Sequence, residues 1–335
     1  MRTYTISDSI IIFAVDTPGY EADKGNWRYH FTEDASISSF ASALVADDFR
    51  NNVYDIYGLL SSTASAALNL TLGGTNEVNV FGGGVVSAAS VALLMEGHSN
   101  TITNGGRISS DFANGISLTG NRNELTNSGV IDGLTNAVFL ANNDNVIVNL
   151  GTMESSLSGI FVRGHRNHIT NDGAIFSGDV GIRIVGTHSI IENAGTLRGT
   201  YGGFQSSDAS ETTLTNTGFI TSASAATVFF RTSSGEKATL SNKGSINAAS
   251  DNSVAVRGGD GRELLTNEGA IRGSVFLGGN NDQFRQVGNG FVSGVLDGED
   301  GNDTITGGGR ADLFYGGNGN DILDGKGAND TIFGG

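Results

Sequence analysis

Apolar and polar positions alternate along this chain in short bursts, and the bursts themselves recur. Between residues 100 and 271 the octet xLTNxGxI returns eight times, from "TITNGGRI" and "ELTNSGVI" to "TLSNKGSI" and "LLTNEGAI". Its Asn falls at 104, 127, 149, 171, 193, 216, 242 and 267, in steps of 22 to 26 residues. Ile or Leu stands two before each Asn, Gly two after, and Ile, Leu or Met four after. Period 2 on either side of the Asn predicts two short strands with inward apolar residues, joined by a Gly bend where positive φ is cheap. A third apolar burst follows, as "GISL" at 115–118, "AVFL" at 137–140, "GIFV" at 159–162 and "GIRI" at 181–184. Three strands per ~22 residues make one coil of a parallel β-helix, and stacking at about 4.8 Å turns equal positions into ladders. The usual crossover hand predicts a right-handed helix. The Asn column has two readings, a ladder bonding backbone groups from coil to coil or a simple turn former. Neither is catalytic.

Two degenerate coils precede the first Asn. "YDIYGLL" puts Ile56 two before Gly58, and "VNVFGGGVV" puts Phe81 two before Gly83. Ahead of them Ile37, Phe40, Ala41, Leu44 and Val45 recur at helical spacing after "TED", where Thr32 or Asp34 would be the N-cap. An amphipathic helix there would cover the open edge of the first coil. The expected architecture is all-β, with a helical cap over 1–50, about ten coils of ~22–25 residues over 51–276, and a separate segment over 277–335.

Composition narrows the function. Gly numbers 51, Pro 1 and Cys 0, which disfavours collagen, disulfide scaffolds and Pro-rich disorder. A net charge of -16 disfavours nucleic acid and anionic membranes and favours cations. No apolar run approaches ~18 residues, so no helical membrane span is expected. "SIIIFAVD" has Asp8 and Asp16 at its flanks and no basic segment before it beyond Arg2, so it reads as a buried strand rather than a secretory signal.

The last segment changes rhythm. Four nonapeptides open at Gly298, Gly307, Gly316 and Gly325 and place Asp at the sixth position, as Asp303, Asp312, Asp321 and Asp330. The eighth position is apolar in each, as Ile305, Phe314, Leu323 and Ile332. This tail resembles the RTX, or hemolysin-type, calcium-binding repeat family, whose pattern is G-G-x-G-x-D-x-U-x. The resemblance covers about 298–335, with an imperfect copy at "LGGNNDQFR", 277–285. It implies a parallel β-roll in which six residues turn and three form a strand, with Ca²⁺ between stacked loops. It also implies export through a one-step channel without an N-terminal signal, and folding outside the cell. The chemistry agrees, since Ca²⁺ takes six to eight oxygens and Gly-rich loops free carbonyls. From residue 277 onward nine acids face three bases, so the segment is expected to stay disordered until calcium arrives.

Carried over residue by residue, loop 298–303 pairs with 316–321, and 307–312 with 325–330. The implied metal residues are Asp300, Gly301, Asp303, Asp312, Asn318, Gly319, Asp321 and Asp330. Arg310, Lys326 and Ala328 depart from the pattern in the second pair, so the stronger site is expected between Asp303 and Asp321. The chain stops at Gly334–Gly335, the opening of a fifth nonapeptide, which reads as a truncated array lacking a C-terminal secretion segment.

Parallel β-helices also serve as polysaccharide lyases and epimerases, which need acids, bases or cations clustered on adjacent coils. The outward positions one and three before each Asn hold mostly Thr, Ser and apolar residues, and no two carboxylates are neighbours. No catalytic residue is nominated. Five before each Asn the row reads Arg122, Asp144, Arg166, His188, Glu211, Lys237 and Arg262, an ion-pair ladder of roughly 0.2–1 kcal/mol per pair or a substrate row. Phe139 and Phe161 beside Arg183 offer a sugar platform or a covered patch, and His165 and His168 read as solvated. Two functions result: a secreted, calcium-bound structural or adhesive protein with a polysaccharide or cell-surface partner, or a polysaccharide-active enzyme. Site loops of the second would lie around Arg231–Lys237 or Arg257–Glu263.

Overall fold

The computed structural model describes residues 2–6, 9–12, 20–21, 26–47, 51–71, 73–207 and 211–335. It is an all-β parallel solenoid, with no helix among the described residues. The chain forms two compact units, residues 1–163 and 164–335.

In the first unit each coil lays down three strands of mostly four residues, one in each of three parallel sheets. Thr101–Asn104, Glu124–Asn127 and Val146–Asn149 stack in register in the first sheet. Arg107–Ser110, Val130–Gly133 and Thr152–Ser155 do so in the second, and Ile116–Thr119, Val138–Ala141 and Ile160–Arg163 in the third. Alternation turns Ile102, Ile108 and Ile116 into one buried core, and their equivalents Leu125, Ile131 and Val138 stack on them. Full burial stabilises each by about 1.5–3 kcal/mol.

Two expectations are corrected. The region expected to form a helical cap coils instead: Trp27–Phe31, Ser36–Ser39 and Leu44–Asp47 pair with Val53–Ile56, Leu59–Ser62 and Leu68–Thr71. Thr32 accepts the Ala35 N–H in a turn at 3.0 Å, so it caps no helix. Ile37 and Leu44 are buried but Phe40 is 42% exposed, as strands joined by a corner require. Ser9–Ile12 is a strand, while the rest of "SIIIFAVD" lies outside the described residues.

The Gly two after each Asn is also not a positive-φ bend. A Cβ on Gly129 would run into the Gly106 carbonyl oxygen, and one on Gly151 into that of Gly129. Close backbone approach selects glycine there. Left-handed φ falls instead on Asn51, Thr75, Ser99, Arg122 and Asp144, five before the corner position that holds Asn in most coils.

In the second unit the coils change cross-section. Strands His168–Asn171, Ile190–Asn193, Thr212–Asn216, Lys237–Asn242, Arg262–Asn267 and Gln283–Gln286 stack in the first sheet. The second sheet ends at Phe291–Val292. Beyond it, strands alternate between two sheets only: Thr304–Thr306 and Ile322–Asp324 in one, Leu313–Tyr315 and Thr331–Phe333 in the other. A two-strand turn of two nonapeptides replaces the three-strand coil, as in a β-roll. Phe284, Ile305 and Phe314 carry the core into this narrower turn.

Candidate metal centre

Each nonapeptide folds as a six-residue loop and a three-residue strand, and in the first and third the fourth-position glycine takes a backbone shape that a Cβ disfavours. Gly301 and Gly319 sit at φ of 149° and 140°, and a Cβ on Gly319 would strike the Gly301 carbonyl oxygen. Loops 298–303 and 316–321 therefore stack backbone on backbone. The Gly301 N–H donates to the Asn318 carbonyl at 2.8 Å, and Asn318 Nδ2 donates to Asp300 Oδ1 at 2.7 Å. The Asp303 N–H donates to Asp321 Oδ1, and the Asp312 N–H to Asp330 Oδ1, both at 2.9 Å. The structure thus brings together Asp300, Gly301, Asp303, Asn318, Gly319 and Asp321 on one side, and Asp312 with Asp330 on the other.

The two sides differ in what their carboxylates lack. Asp303 Oδ2 and Asp321 Oδ2 are buried with no hydrogen-bond donor. Asp312 is better served: its Oδ2 accepts the Gly308 N–H at 3.2 Å and its Oδ1 accepts Gln286 Nε2 at 3.4 Å. Arg310 is turned onto the Phe291 ring at 4.3 Å, and Lys326 pairs with Asp324 at 2.7 Å, which lowers the pKa of that carboxyl. Ala328 holds a left-handed φ of 79°, strained for a residue with a Cβ. Burial, reinforced by Asp321, Asp297 and Asp300, pushes Asp303 up to about 6. Burial also raises Asp312, and it raises Glu299 despite Arg257 at 3.4 Å.

The sixth-position Asp occupies a corner that runs through the coils. In the first unit that corner holds Asn52, Asn76, Asn100, Asn123 and Asn145, and each Oδ1 from Asn76 onward accepts the N–H of the residue one coil earlier, at 2.8–3.0 Å. In the second unit it holds Asn167, Ser189, Thr212, Ala238, Glu263, Asp282, Asp303 and Asp321. The Glu263 N–H donates to Asp282 Oδ1 at 2.7 Å and the Asp282 N–H to Asp303 Oδ1 at 2.8 Å. Sequence reading nominated neither Glu263 nor Asp282. The signal for Asp282 was its place as sixth residue of the imperfect copy at 277–285, and for Glu263 an acid one residue before "LLTN", which aligns with it only once coils of unequal length are put in register.

Among the described residues no three carboxylate or imidazole side chains converge on one point. A hard cation that takes six to eight oxygens would therefore need loop carbonyls as well as carboxylates. The donor set fits such an ion: Asp303 Oδ2 and Asp321 Oδ2 are acceptor-only, buried and unpaired, while Asp300, Asn318 and Gly319 are exposed. Residues 296–335 match the model of the RTX calcium-binding nonapeptide repeat, in four copies. The tail is a calcium-binding repeat array. No curated protein and no solved structure matches the chain.

The other nominated residues fall elsewhere. Asn104, Asn127 and Asn149 form the expected ladder, Nδ2 to Oδ1 at 2.7 and 2.8 Å, and Asn171 to Asn267 form another in the second unit. The row of Arg122, Asp144, Arg166, His188 and Glu211 is the left-handed corner, and Lys237 pairs with Glu211 at 3.3 Å. The Phe139 and Phe161 rings meet edge on at 5.7 Å, with Arg163 over Phe161, while Arg183 pairs with Asp179 at 2.7 Å. His165 bonds the Thr187 hydroxyl at 2.8 Å, and His168 pairs with Glu192 at 3.0 Å in solvent.

Proposed function

We propose that this chain is an extracellular repeat protein with a structural or adhesive role, whose tail over 277–335 orders when calcium binds. The observation that carries the reading is the stack of buried carboxylate oxygens without donors at Asp303 and Asp321. A buried unpaired carboxylate is costly, and a cation on those oxygens removes the cost. Asp300, Gly301, Asp303, Asn318, Gly319 and Asp321 would hold one ion, and Asp312 and Asp330 a weaker one. Free lone pairs on the first side support that ranking, so Asp321→Ala is expected to reduce calcium affinity more than Asp312→Ala. Calcium supplies the charge a low-calcium cytosol withholds, which supports folding after export. A polysaccharide or cell-surface partner would use the repetitive outer faces of the sheets.

The test is calorimetry and circular dichroism of the full chain with calcium and with chelator. Each site should add about 2.7 kcal/mol when calcium exceeds Kd a hundredfold. An unchanged Tm and unchanged compactness on chelation sink the proposal.

One observation favours a second reading. A cavity of about 870 Å³ in the second unit is lined by Phe229 and by Arg231, Arg257 and Asp260, the last three within the segments expected to carry hidden site loops. Its walls also carry Asp297, Glu299 and Asp300, and Arg257 pairs with Glu299 at 3.4 Å, so a polysaccharide would meet an aromatic ring and mixed charges there. Incubation with anionic polysaccharides, read as new double bonds or reducing ends, decides whether it turns anything over.

A further inference from the structure

The acidic corner starts before the matched repeats. Residues 258–265 read "GGDGRELL", with glycines at the first, second and fourth positions of the nonapeptide beat and Glu263 at the sixth. The register agrees: Leu264 pairs with Gln283, which sets Glu263 beside Asp282. Glu263 is 0% and Asp282 2% exposed. Their inner oxygens, Glu263 Oε2 and Asp282 Oδ2, have no donor, and neither carboxylate has an ion-pair partner among the described residues. Glu263 Oε1 takes the Thr232 hydroxyl and the Gly259 N–H, so one oxygen of each acid is spent on backbone or hydroxyl and the other is left over.

We propose that Glu263 and Asp282 form a further divalent-cation site, calcium in class, outside residues 296–335, completed by carbonyls of loops 258–261 and 278–281. It rests on the calcium reading of the tail. A cavity is lined by Gly258, Gly259, Asp260, Gly278, Gly279 and Asp300, on the two loops that lead into Glu263 and Asp282. Asp260, Asp297, Glu299 and Asp300 outnumber Arg231 and Arg257 on its walls, so the local field favours cations. Two ionised carboxylates in one buried corner cannot satisfy each other; a shared proton or a cation between them can, and the cation is the occupant proposed. The site would tie the first calcium to a three-strand coil, so the narrower roll is built onto a coil already held by an ion.

The test counts calcium on the full chain by equilibrium dialysis and elemental analysis, comparing wild type with the Glu263→Gln/Asp282→Asn double variant. The double variant should keep its calcium-dependent melting and bind one ion fewer per chain. An unchanged count overturns this site alone, whereas a wild-type chain that binds no calcium removes the reading of the tail along with it. Anomalous scattering from crystals of the unmodified calcium-loaded chain gives a readout independent of how the variant folds. A peak between Glu263 and Asp282 is expected, and peaks confined to residues 298–330 overturn the site.

Discussion

In residues 1–163 the corner before the first strand of each coil is held by Asn52, Asn76, Asn100, Asn123 and Asn145; in residues 164–335 the same corner ends in Glu263, Asp282, Asp303 and Asp321. The backbone bond is the same in both, an N–H given to the Oδ1 one coil later at 2.7–3.0 Å. The second atom of the side chain separates them. An amide carries a donor there, and Asn123 Nδ2 uses it on the Gly97 carbonyl at 3.0 Å. A carboxylate carries only another acceptor, and Asp303 Oδ2 finds nothing. One atom decides whether a coil is self-sufficient or conditional on an ion.

The largest effect should come from moving the acid into the amide column. Asn123→Asp buries a carboxylate against the Gly97 carbonyl, and should cost about 3–5 kcal/mol at neutral pH. Denaturant melting checks it, and a cost below 1 kcal/mol would show that the corner tolerates charge without metal. The reverse exchange should be smaller and opposite in sign. Asp303→Asn supplies the missing donor, so the calcium-free chain should gain about 1–3 kcal/mol while its calcium response shrinks. A variant that loses stability in chelator would break the comparison.

Acid should mimic part of that exchange. Asp303 is raised to about 6, so below neutral pH the folded, calcium-free tail binds more protons than the unfolded chain. That stability is present below the ordinary carboxylate range and is lost as pH rises through about 6. In chelator, Tm should fall between about pH 4 and about pH 7, and calcium affinity should climb over the same range. A Tm that rises with pH in chelator contradicts this. The smallest effect belongs to the left-handed corner: Lys237→Ala removes an exposed pair with Glu211 and should cost no more than about 1 kcal/mol.

Much of this fold was legible because identical residues stack. Ile or Leu, then Asn, then Gly at fixed offsets left few alternatives to a coil with an Asn ladder. The first coils misled for a physical reason. Four-residue strands separated by a corner place inward residues such as Ile37 and Leu44 seven apart, the same as two turns of helix. The exposed Phe40 between them is what a helical face would have buried. Glycine was read by its commonest use, φ freedom, whereas Gly129 and Gly151 are needed for close approach of backbone to backbone. Loop pairing in the tail was readable from a strict nine-residue beat. Asp282 was legible in part, as the sixth residue of the imperfect copy at 277–285, whereas Glu263 was not, because its coil differs in length from those on either side.

The shrinking cross-section of the second unit also sets how it would yield to a pull. Hydrogen bonds between neighbouring turns point along the stacking direction, so tension on that line unzips one turn before the next. From Asp303 to Asp321 a turn takes 18 residues, which frees about 60 Å of extended chain when it lets go. Ions pinned at the corners would set the force of each step, making the tail a spring whose stiffness is adjusted by the calcium content of the surrounding fluid.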